Sequence, residues 1–226
     1  MKKLLLLSGM FAAVVYAGTV ILGGLIRPGY SHLSEAISEL VAEGAPNRSL
    51  LSSLFLIYNL LLSAFGLGIF LKTKVQPRGQ KSGYIGSLAL ILVGMAGISM
   101  ELAFPQDPGG IPTTFSGNMH LVMAGVASLG TMIAILFLAS WFRSFLDLKG
   151  YLVYSWISVA IVFISGGLSA AAMANHHPLF GLIERITIGT FILWLFVIGR
   201  RMVQLEDKSS PQMYLEAVSS RAKGRS

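Results

Sequence analysis

The sequence predicts an all-α, polytopic membrane protein: a six-transmembrane-helix bundle with a short amphipathic helix in its first outer loop. Six long apolar segments carry that reading, at Leu4–Ile26, Leu50–Leu71, Gly83–Phe104, Gly117–Phe142, Tyr151–Ala174 and about Leu179–Gly199. Each holds roughly 20 or more mostly apolar residues, enough at about 1.5 Å per residue to cross a hydrocarbon core of about 30 Å. Composition agrees, with 54% hydrophobic and 12% charged residues and a mean hydropathy of +0.71. The third observation is a charge asymmetry. Sorted by alternate connections, every Lys and Arg except Arg27, Arg48 and Arg185 falls on one side, which marks that side as cytoplasmic because cationic loops resist translocation. The opposite side holds Glu35, Glu39, Glu43, Glu101, Asp107 and Glu184 with all of His32, His120, His176 and His177. A multi-pass cell-membrane protein with both termini in the cytoplasm is expected, its titratable groups facing outward.

The first segment follows Lys2-Lys3 and contains Val15-Tyr16-Ala17 before Gly18, which resembles a signal-peptide cleavage site. Its apolar run continues to Ile26, beyond the usual core of about 7–15 residues, so a first transmembrane helix is expected instead. The inner connections, Lys72–Ser82 and Arg143–Gly150, are brief; the outer ones are Arg27–Ser49, the Pro/Gly-rich Pro105–Ser116 and the turn Asn175-His176-His177-Pro178. None has room for a second domain, so residues 1–202 form one transmembrane domain, followed by a polar, flexible cytoplasmic tail at 203–226. The net charge of +7 belongs to cytoplasmic loops that set topology and meet anionic headgroups, so the bilayer and not nucleic acid is the partner it implies. Zero cysteines exclude disulfides, thiolate metal sites and cysteine nucleophiles. Glycine pairs such as Gly83-x-x-Gly86, Gly94-x-x-Gly97 and Gly166-Gly167 read as close helix–helix approach, and tyrosines including Tyr16 and Tyr58 partly as interfacial belts.

Within the first outer loop, Tyr30–Glu43 has helical periodicity: Leu33, Ala36, Ile37, Leu40 and Val41 share one arc, and His32, Glu35 and Glu39 the other. Ser31 is the expected N-cap, and Gly44 with Pro46 the stop. The apolar face of such a helix must rest on the bundle rim or in the outer leaflet.

Ionisable residues at membrane depth are costly and therefore candidates for function. Glu101 lies about one turn from the outer end of the third segment, His120 one turn into the fourth, and Glu184 and Arg185 one turn into the sixth. The fourth and sixth segments open alike, as Gly117-x-x-His120-x-x-x-x-Gly125 and Gly181-x-x-Glu184-x-x-x-x-Gly189, which puts His120 and Glu184 at similar depth. Facing inward, these groups would form a polar pocket beneath the amphipathic helix. Three chemistries fit it. Structural ion pairs could join the acids to Arg27 or Arg185. A zinc site could use His120, His176, His177 and Glu184 and support metal-assisted hydrolysis, although no H-x-x-x-H or H-E-x-x-H spacing is present. A binding pocket for a lipid headgroup or small molecule could use Arg27, His32, Glu39, Glu101, His120, Glu184 and Arg185. This last is the leading expectation, with no cofactor favoured over zinc. A membrane interaction module and a transporter are further alternatives, the latter weakened because no charged residue lies near the middle of a span.

The stretch Arg27-Pro28-Gly29-Tyr30-Ser31-His32-Leu33-Ser34-Glu35-Ala36-Ile37-Ser38-Glu39-Leu40, followed by Gly44-Ala45-Pro46-Asn47, resembles the signature loop of a family of six-helix membrane proteins of bacteria and archaea, the domain of unknown function numbered nine-nine-eight. The resemblance implies a shared six-span fold and carries over no catalytic residue. It implies that Pro28, Tyr30, Ser31, Ser38, Glu39 and Asn47 belong to the signature. The layout is also faintly similar to membrane-embedded zinc hydrolases of the alkaline ceramidase kind, without their His-x-x-x-His spacing.

Overall fold

The structure is a computed structural model that describes residues 2–74, 79–144 and 149–208. Among the described residues it has six long helices and no strand: α1 (Lys2–Ile26), α2 (Arg48–Thr73), α3 (Gln80–Leu102), α4 (Phe115–Phe142), α5 (Lys149–Ala174) and α6 (Phe180–Lys208). All six are long and apolar enough to span a membrane. Helices are the form expected there, because they satisfy their own backbone hydrogen bonds in lipid. Each expected segment is present, extended by a turn or less at most ends. α6 is the exception, running past the expected Gly199 to Lys208. Its polar last turns are held by Glu206 against Lys72 at 2.6 Å and Asp207 against Lys3 at 2.7 Å. The remainder of the expected flexible tail, 209–226, lies outside the described residues.

Each helix packs on its neighbour in sequence, and α6 packs back on α1, so the bundle is a closed ring. Without a hydrophobic drive between helices in lipid, close approach supplies much of the attraction, and glycine permits it. A Cβ placed on Gly86 would lie 2.6 Å from Leu138 Cγ, and one on Gly66 3.0 Å from the Ser87 carbonyl, so α3 is pressed onto both α4 and α2. On α1, a Cβ on the facing Gly199 of α6 would come within 3.1 Å of Met10 N. The α4–α5 contact is the loosest between neighbours in the ring. A Cβ on Gly125 or Gly167 would meet nothing within 4 Å, and one on Gly166 only Thr187 Cγ2 at 3.6 Å. The expectation that Gly166-Gly167 marks close packing is therefore corrected: these glycines border open space.

The ring is filled unevenly. At the end holding the N-terminus of α1 and the C-terminus of α6, the interior is solid with Leu6, Phe65, Ile69, Leu138, Trp141, Phe142, Trp194 and Ile198, all essentially buried. Trp194 satisfies its indole by donating to Ser155 Oγ at 2.9 Å, as a buried tryptophan must. The other end carries the connections 27–47, 103–114 and 175–179, and there the centre is hollow.

The expected α-helix at Tyr30–Glu43 is not formed. Only Ile37–Val41 is helical, as a 3₁₀ turn entered from an extended Ala36 (φ −61°, ψ 153°). The apolar arc was legible, since Ala36, Ile37, Leu40 and Val41 are buried against the rim of α1 and α2, while Leu33 is exposed. The α-helix fails because distant side chains take the groups its ladder needs. Arg185 binds the Glu35 carbonyl, Tyr30 the Ala36 carbonyl, Arg27 the Glu39 carbonyl, and Glu184 the Ile37 N–H. Gly29 and Gly44 bracket the segment at φ +77°, a conformation costly to residues with a Cβ.

Gly86→Ala should lower the melting temperature of the purified protein, corresponding to about 1–3 kcal/mol of overpacking. Gly125→Ala should stay within about 0.5 kcal/mol of the parent. Equal losses in both variants would remove the distinction between the tight α3–α4 and loose α4–α5 seams.

Candidate functional site

At the hollow end, a cavity of about 450 Å³ lies inside the ring and draws lining residues from all six helices and the 3₁₀ turn. Glu101 from α3, His120 from α4 and Glu184 from α6 all face it. Ile37, Ser38 and Val41 form its roof, and Tyr16, Tyr58 and Asn59 contribute polar atoms deeper in the ring. The remaining wall is mostly apolar or small, including Val93, Ala124, Ala127, Val162, Ile188 and Phe191. Ser128, Val162 and Gly166 also line a second hollow in the α4–α5 seam, of about 470 Å³. The two hollows therefore adjoin at these residues, beside the α4–α5 seam where Gly125 and Gly167 face open space.

Glu101, His120 and Glu184 are each anchored through one side-chain atom, and the other polar atom of each has no partner among the described residues. The His120 ring is buried, and its Nδ1 lies 2.9 Å from the Phe104 carbonyl. A carbonyl only accepts, so Nδ1 carries the proton; in the neutral ring Nε2 is then an acceptor, without a hydrogen-bond partner among the described residues. Glu184 Oε2 accepts from Ile37 N at 2.8 Å, which ties the roof to α6. Glu101 Oε2 accepts from Ser52 Oγ, which ties α3 to α2. Tyr16 and Tyr58 meet edge to face at 4.7 Å. Asn59 is buried, with its amide donating to Phe55 O at 2.9 Å.

Four of the sequence candidates stand behind the roof and do not line the cavity. The Arg185 guanidinium donates to the Glu35 and Gly181 carbonyls at 2.9 and 2.8 Å and to the Tyr30 hydroxyl. Arg27 also approaches this ring, with its Cζ 5.5 Å from the Tyr30 centroid against 5.6 Å for Arg185, and it pairs with Glu35 at 3.8 Å. Tyr30 is thus gripped by two cations while donating to the Ala36 carbonyl at 2.8 Å. Burial pushes its phenol up to about 12 despite Arg185, so it stays a donor. Glu39, expected on a solvated face with His32 and Glu35, is 7% exposed. It accepts from Gln106 Nε2 at 2.6 Å and Gly109 N at 3.3 Å, clasping the 103–114 connection. His32 is exposed and rests edge-on against Tyr30 at 5.2 Å; desolvation, then the charge of Arg185, lowers its pKa.

The zinc set expected from His120, His176, His177 and Glu184 is not assembled. His176 and His177 are exposed in the α5–α6 turn, where His177 Nδ1 accepts from Leu179 N at 3.2 Å. Among the described residues no three His, Asp or Glu side chains converge as a metal site requires.

Two features escaped the sequence reading. Tyr16 and Tyr58 read as belt residues but face inward, and Asn59, an amide in mid-span, was the available signal for a polar interior. Asp107 organises the start of α4. It accepts from Thr113 N at 2.6 Å, Thr114 N at 2.7 Å and Thr114 Oγ1 at 2.7 Å, while Thr114 itself caps Gly117 N at 3.0 Å. A Cβ on Gly117 would collide with this carboxylate. The hydrogen bonds, led by the Thr114 hydroxyl, hold the Asp107 carboxyl down at about 2.

A family model described as "Protein of unknown function (DUF998)" matches residues 10–201. The chain belongs to this family. The match covers the whole ring apart from the first turns of α1 and the end of α6, and includes the roof segment and every cavity-lining residue. Neither the curated proteins nor the solved structures yielded a match.

Arg185→Met should loosen the 28–36 segment, lowering stability by about 2–3 kcal/mol, the scale of lost charge-assisted hydrogen bonds. Faster proteolysis or amide exchange in that segment is the readout, and unchanged protection would remove its bracing role. For Asp107, a carboxyl pKa depressed from about 3.9 in the unfolded chain stabilises above pH 4 and loses that contribution as pH falls toward 2. The melting-temperature gap between the parent and Asp107→Asn should therefore be widest near neutral pH and close between about pH 4 and pH 2.

Proposed function

We propose that this membrane protein binds a small amphiphile or lipid headgroup, whose polar part lies among Glu101, His120 and Glu184 beneath the Ile37–Val41 roof. The observation that carries the proposal is the cavity itself: about 450 Å³ of mostly apolar space with a few inward polar atoms. That size and lining suit a small-molecule ligand. The adjoining α4–α5 hollow and the loose α4–α5 seam support lateral access from the bilayer, with an apolar tail passing between Gly125 and Gly166. Arg27 and Arg185, once candidates to meet a phosphate or carboxylate, are engaged with the loop and stand outside this role. The distribution of Lys and Arg supports N- and C-termini in the cytoplasm, so the cavity opens toward the outer leaflet of the cell membrane.

Native mass spectrometry of protein purified in mild detergent should show a retained amphiphile. Ala124→Phe, which places a large ring in the cavity, should release it while leaving the melting temperature of the ligand-free protein within a few degrees of the parent. Retention of the same molecule by the variant would place it elsewhere and remove the proposal.

A further inference from the structure

We infer that the head this cavity accepts is a hydrogen-bond donor bearing positive charge: an amine on a single alkyl chain. The inference rests on the amphiphile-binding reading above and adds the chemical class of the ligand. It follows from what the cavity lacks. The second carboxylate oxygen of Glu101, that of Glu184 and His120 Nε2 all face inward as acceptors without protein partners among the described residues. The hydroxyls of Tyr16 and Tyr58 are likewise unpartnered and can accept or donate. His120 is 8% and Tyr58 7% exposed, so the cavity screens these groups from bulk solvent, and an occupant with donors would satisfy them.

No cation shares the lining. Arg48 and Arg185 stand near Glu101 and Glu184 but are turned away. Arg48 Nε donates to the Val41 carbonyl at 3.2 Å, and both terminal nitrogens of Arg185 serve the roof. An anionic head would meet two carboxylates and no guanidinium in the cavity lining. An ammonium would supply both the donors and the countercharge that buried acids require. The adjoining hollow past Ser128, Val162 and Gly166 would lead a chain from the head toward lipid.

The test compares dodecylamine, 1-dodecanol and dodecanoate binding to the full chain in phosphatidylcholine nanodiscs. Dodecylamine should bind at least roughly tenfold more tightly than the alcohol, and dodecanoate most weakly. Glu101→Gln and Glu184→Gln should each reduce the preference for the amine over the alcohol by about tenfold. The glutamine at 184 keeps an oxygen to accept from Ile37 N, so the roof stays tied. Dodecanoate binding as tightly as the amine, or an amine preference that survives both glutamine variants, would overturn the inference. The amphiphile reading would then still stand if Ala124→Phe abolishes binding of the alcohol. Binding of all three compounds unaffected by Ala124→Phe would overturn both.

Discussion

A ring of six helices cannot fill its own centre with backbone, and this constraint shapes the protein. Side chains must occupy the middle or leave it empty. Toward one end the problem is solved with bulk, as Trp141, Trp194, Phe65 and Phe142 close the space completely. Toward the other end the inward positions are small or polar, among them Ala124, Ala127, Gly97 and Asn59, and the space stays open. The same division runs along the seams. Where glycine brings helix backbones together the wall is sealed, and between α4 and α5, where the glycines touch nothing, it is not.

An open cavity beneath irregular chain at the membrane boundary raises a second difficulty, since every loop carbonyl and amide needs a partner. Arginine answers it efficiently, because one guanidinium offers five donors in a fixed fork. Arg185 and Arg27 bind the carbonyls of Glu35 and Glu39 in the 28–41 segment, and both approach the Tyr30 ring. Glu39 and Asp107 do the corresponding work for N–H groups in the 103–114 connection. The charged residues that look most like ligand-binding groups are therefore the ones that hold the frame, and the acids and imidazole left over are those the frame aims inward.

Much of the fold was legible because membrane spans are written in length and hydropathy, which need no knowledge of partners. The layer of Glu101, His120 and Glu184 was legible too, since depth along a helix follows from sequence position. Facing was harder. Arg185 and Glu184 are adjacent, and α-helical geometry separates adjacent side chains by about 100°, so one turns to the cavity and the other to the loop. Which is which depends on the position of Tyr30, far away in the chain. The Tyr30–Glu43 segment shows the same limit: its apolar period is real, but its backbone groups are bonded by Glu184 and Arg185 of α6, by Arg27 and by Tyr30. Glycine likewise carries two meanings that only a neighbour resolves, intimate contact at Gly86 and vacancy at Gly167.

The closure of the ring between α1 and α6 also orders its assembly in time. During synthesis the α6-facing side of the first helix, at Met10, has its partner only after five further spans have been made. Only the sixth brings Gly199 against Met10, delivers Glu184 to the cavity, and supplies the Arg185 that gathers in the 28–36 segment. A nascent chain of five spans has neither a roof nor a complete cavity wall. The enclosed cavity and the completed bundle thus arrive in the same step.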